Sequence, residues 1–185
     1  MPNFGQVGHQ SYDSVTVEDQ LVGSQGTPGT DGTAQSITVY MNSWSSGDEC
    51  KCAIYLSDSG FTKVGETEEL TTGGTGWKTF NFSEPKPSII NGSEYTLVAF
   101  GDDSSTTVDY WPSNSIYLRK ESATYPNFPN SIAVDGWDTN LYNNAVGINC
   151  TYLTDESEPS FYIANPNSGK LTFLGGSKQL KFITK

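Results

Sequence analysis

The stretch DECKCAIYLSDSG (48–60) carries two of the chain's three cysteines, one residue apart and beside two acids. Thiolates bind zinc or exchange disulfides, so metal and redox chemistry have to be weighed against a scaffold role. Same-face neighbours on a strand lie roughly 6.5 Å apart, too far and too parallel for an easy bridge between Cys50 and Cys52. Cys150, on the alternating stretch Ile148, Cys150, Tyr152, is the better partner, so a disulfide of Cys150 with Cys50 or Cys52 is expected if the compartment is oxidising. With His9 the thiols would make a Cys3His zinc set, but CxC with two distant ligands lacks the paired CxxC spacing of zinc sites. Small buried apolar side chains are the preferred reading of all three.

His9 is the only histidine, which leaves one candidate base for a Ser/His/Asp or Cys/His arrangement, and no GxSxG elbow accompanies it. No Walker loop, Rossmann fingerprint, HExxH or EF-hand pattern occurs. Glu66, Glu68 and Glu69, or Asp135 and Asp138, could supply paired carboxylates for glycoside hydrolysis, though in so acidic a chain such pairs arise by chance. No catalytic residue is therefore expected, and the chain is read as non-enzymatic. Aromatic residues concentrate between 110 and 142, and flat rings stack on sugars and anchor interfaces. Trp111, Tyr125, Trp137 and Tyr142 are the candidate ligand-binding residues, with Trp137 in DGWD the one most expected to be exposed. Asp102 and Asp103 in GDDSS offer hard oxygen ligands for a structural calcium, and no other cofactor is expected. Of the sequons at Asn81, Asn91 and Asn149, the last falls on a strand and is expected to be unmodified.

These residues have to be positioned by strands. In SITVYM the residues Ile37, Val39 and Met41 share a face, in CKCAIYL Cys50, Cys52, Ile54 and Leu56 do, and in WKTFNF Phe80 and Phe82 do. In EYTLVAF, Tyr95, Leu97 and Ala99 oppose Thr96, Val98 and Phe100. SDSG, TTGGTG, NGS and GDDSS interrupt these runs at spacings near the ~8–12 residues of a sandwich or barrel. Further strands are expected at 115–120 and 145–153, and 124–144 is read as a long aromatic-bearing loop with one short strand. The fold class is all-β, a two-sheet antiparallel jelly-roll sandwich over 1–154. A short β-meander at 155–185 (SFYIAN, KLTFLG, QLKFITK) is expected to dock on the sandwich or on a neighbouring chain.

The net charge is −11, which repels nucleic acid and anionic membrane. No apolar run approaches the roughly 20 residues of a membrane helix. Residues 1–154 hold six Lys or Arg against 18 acids, whereas 155–185 hold four Lys against three acids, with TDESEP between them as a break. The start, MPNFGQVGHQ, lacks the basic and apolar regions of a secretory signal, as in a mature chain or one that does not use that route.

The succession NFGQVGHQSY, GTAQSITVYMNS, CAIYLSDSG, GWKTFNFSEP, INGSEYTLVAFGD and GINCTYL resembles the jelly-roll, carbohydrate-binding-module-like β-sandwich domains of prokaryotic surface proteins and phage virions, over residues 3–153. The resemblance implies a non-catalytic display or binding role, in a fold that hosts many ligands. The expectation is a structural display protein on a virion surface or similar extracellular assembly, homo-oligomeric and a possible glycan binder. The alternatives are a carbohydrate-binding module of a secreted enzyme or adhesin and, third, a small carboxylate-dependent hydrolase.

Overall fold

The computed structural model describes residues 1–57, 61–121, 123–132 and 142–155, and among them there is no helix. Thirteen strands follow in order: β1 (Asn3–Gly5), β2 (Asp13–Thr16), β3 (Gln20–Gly26), β4 (Gly32–Ser43), β5 (Cys50–Leu56), β6 (Phe61–Glu66) and β7 (Gly76–Asn81). They continue with β8 (Ser88–Ile89), β9 (Tyr95–Gly101), β10 (Thr107–Glu121), β11 (Ser131–Ile132), β12 (Tyr142–Val146) and β13 (Ile148–Thr154). All pairings between named strands are antiparallel. The expected meander at 155–185 lies outside the described residues beyond Asp155.

The strands form two curled sheets. In the first, β4 lies between β13 and β7, β1 extends the β13 side, and β10 joins beyond with β12 and β2 on its flanks. In the second, β3, β9, β5, β6 and β11 follow one another. One strand serves both: β10 pairs with β4 and β12 through its first half and with β3 from Tyr117 to Glu121. It starts eight residues before the strand expected at 115–120. The signal was hidden by Pro112, which has no N–H to give a ladder, and the β10–β12 register shifts just beyond it, between Pro112 and Ile116.

Period-two burial builds the core between the sheets. Ile37, Val39 and Met41 of β4, Phe80 of β7 and Ile148, Cys150 and Tyr152 of β13 meet Cys50, Cys52 and Ile54 of β5 and Tyr95, Leu97 and Ala99 of β9. A second apolar cluster lies on the far side of the second sheet, where Ala53, Tyr55, Val98 and Phe100 are covered by Phe128 and Ile132, with Tyr125 packed against them. The segment expected to be a long loop thus serves partly as a lid on that face. Tyr55 Oη donates to Pro129 O at 2.9 Å, and Lys63 N to Asn130 O at the same distance.

Candidate functional site

The outer face of the first sheet gathers aromatic side chains. On β4 the neighbours Val39 and Met41 turn into the core, so Tyr40 turns out. Its cross-strand partner on β7 is Trp77, and the two rings meet edge to face, 5.4 Å apart at 83°. Gly147, between β12 and β13, accepts from Tyr40 N at 2.7 Å. A Cβ there would stand 3.2 Å from the Trp77 ring and 3.1 Å from Gly8 O, so the bare backbone is what lets the indole and the N-terminal segment lie so close. On β10, Val108 and Tyr110 face the core, which turns Asp109 and Trp111 outward beside Tyr40.

His9 joins these elements. Gln6 N donates to Ile148 O at 2.7 Å and sets the N-terminal segment across the sheet. The imidazole then stacks on Tyr40 (centroids 3.4 Å apart, 19° between planes), meets Trp111 edge-on at 6.2 Å, and places Nε2 2.8 Å from Asp109 Oδ2. Asp109 is 3 % exposed, and a carboxylate so buried is costly unless it is paired. A neutral imidazole that donates Nε2–H to the carboxylate presents Nδ1 as an acceptor. Trp77, 41 % exposed, offers solvent a flat apolar surface. Stacking and hydrogen bonding are the chemistry on display.

Trp111 and Tyr125, the two candidate binding residues whose side chains are described, are not brought together. Trp111 is 6 % exposed and supports His9 rather than facing solvent. Tyr125 packs on Phe100 against the other sheet and donates Oη to Glu69 Oε2 at 2.7 Å; burial and then that carboxylate push its pKa upward. Tyr142 begins β12 opposite Ile116, and Trp137 lies outside the described residues, as do Asp135 and Asp138. Asp103 Oδ1 accepts from Ser105 N at 2.8 Å and so caps its own loop, whereas Asp102 Oδ1 accepts from Glu49 N at 2.7 Å and ties that loop to the segment before β5. The Ser105 amide holds Asp103 below the usual carboxylate range. No group of three or more potential metal-binding side chains forms among the described residues.

Cys50, Cys52 and Cys150 are free and fully buried, so neither expected pairing of Cys150 is formed in this structure. Burial pushes Cys50 and Cys150 up to about 12 and Cys52 well above its ordinary value. The Cys3His set does not assemble, because the thiols stand in the core and His9 on the outer face of a sheet. Of the three clustered glutamates, Glu66 is held by Lys51 and Lys63, Glu68 by the Asn81 side chain, and Glu69 by Tyr125. Burial alone would raise Glu66, and the two lysines outweigh it.

Sequence reasoning missed Tyr40, Trp77 and the pairing of His9 with Asp109. The first two were visible by parity: Tyr40 alternates with the inward Val39 and Met41, and Trp77 has the parity opposite to the inward Phe80. The pairing spans 100 residues and leaves no local trace. No protein-family model and no curated protein matches the chain.

Proposed function

We propose that the chain is a non-catalytic binding and display domain of jelly-roll type, borne on a virion or similar surface assembly, whose outer sheet face recognises glycans through Trp77. The observation that carries this reading is the exposed indole of Trp77, set edge to face with Tyr40 on paired strands. Rings fixed by strands stack on a sugar at little further entropic cost, and a sheet face is a more rigid mount than a loop. The proposed site is centred on Trp77, with His9 beside it as a hydrogen-bonding group, and does not draw on Tyr125, which packs on the other sheet. The strong negative charge favours neutral sugars over anionic ones.

The test is a glycan array probed with the wild type and with Trp77→Ala. Wild-type binding to a defined set of neutral glycans, lost in the variant while its circular dichroism is unchanged, supports the reading. An array with no positive glycan, or a variant that binds as the wild type does, refutes it. The alternative setting, a carbohydrate-binding module of a larger secreted protein, uses the same surface and differs in assembly.

A further inference from the structure

The contacts of His9 have the form of a ligand in a binding site. Its neighbours Val7, Gly8, Gln10, Ser11 and Tyr12 are all exposed, while His9 alone in that stretch is half-buried. The ring lies flat on a phenol, makes a T-shaped contact with an indole, and sets Nε2 within hydrogen-bond distance of a carboxylate that is 3 % exposed. The three receptor groups belong to β4 and β10 and are fixed by the sheet; the occupant belongs to a segment outside any strand. A recess of this composition selects for a planar group rich in N–H donors. The Tyr40 face contributes stacking and, for a cation, cation–π attraction, Trp111 adds a T-shaped ring contact, and the buried carboxylate demands a donor.

We infer that the recess of Tyr40, Trp111 and Asp109 is a binding site for a planar nitrogen donor, an imidazole or guanidinium group, and that His9 is its resident intramolecular ligand. Tethering makes that occupancy strong: the ring is presented at an effective concentration on the order of millimolar or above, so a free ligand has to compete with it. An external His- or Arg-bearing ligand that wins the recess releases segment 7–12 from the sheet beside Trp77. This inference does not rest on glycan recognition, and its test involves no glycan.

The experiment is chemical rescue. His9→Gly, in the full chain, empties the recess, and imidazole is titrated while tryptophan fluorescence and the melting temperature are followed. The expected result is saturable binding with a Kd on the order of millimolar, as suits a ligand of so few atoms. Binding should raise the variant's melting temperature toward that of the wild type. The wild type should show at least tenfold weaker response, because its own ring fills the site, and His9→Gly combined with Asp109→Asn should lose the binding. If His9→Gly does not fold, imidazole should restore folding. A folded variant indifferent to imidazole, an unfolded one that imidazole does not rescue, or a wild type that responds as the variant does would overturn the inference.

Discussion

Trp77 and Cys50 show how position alone divides surface chemistry from scaffold. Trp77 keeps 41 % of its surface in solvent, so Trp77→Ala should cost little stability, within about 1 kcal/mol, while removing the proposed binding surface. Cys50, Cys52 and Cys150 are the opposite case: burial favours the neutral thiol, which is unreactive. Ellman's reagent at mildly alkaline pH should find no reactive thiol in the native protein and three after denaturation; ready native reaction would contradict the packing. The same shifts bear on stability. Because the folded-state values of Cys50 and Cys150 are raised from 9.0 to about 12, their contribution is present below pH 9.0 and is lost as pH rises from there towards 12. Urea midpoints should therefore fall across that alkaline range. The inward position of the thiols was legible, since Cys50 and Cys52 share a parity with Ile54, whereas the free state of Cys150 depends on a sheet-to-sheet geometry that no local pattern encodes.

At the scale of the element, β3 owes its place between β9 and β10 to Gly23. A Cβ there would fall 1.7 Å from Leu97 O, a backbone atom that has nowhere to go without disturbing β9. Gly23→Ala should destabilise the protein by about 3 kcal/mol, measured as a shifted urea midpoint; a neutral effect would mean that the three strands pack differently. Strand identities were readable wherever one face is apolar and turns flank the run, as for Ile37 to Met41 and Phe80 to Phe82. The second cluster was half-visible, because Val98 and Phe100 are apolar at positions that a solvated face would fill with polar residues. What covers them, residues 123–132, has no period and is recruited by packing, through Phe128 and Ile132 and the Tyr55 bond to Pro129.

For the whole molecule, two antiparallel sheets share one long strand and enclose an apolar core, and this leaves the outer faces for different tasks. One is roofed by 123–132; the other carries Tyr40, Trp77 and His9. A display role on a surface assembly predicts a discrete trimer or larger ring by light scattering, and a monomer that binds glycans would favour the free-standing module instead. All-β character followed from composition and alternation, because those report each strand's burial. The aromatic outer face did not, because it is made by four segments, at residues 9, 40, 77 and 109–111, that meet only when the sheet closes.

The most direct measurement follows the indole N–H resonances of the tryptophans during titration with the strongest array glycan. Trp44, whose Nε1 donates to Asp48 O at 2.9 Å in a buried setting, is the internal reference. Binding on the outer face of the first sheet predicts a dose-dependent shift of the Trp77 resonance with that of Trp44 unmoved. A shift confined to other tryptophans, or none at any glycan concentration, would contradict the assignment of that face.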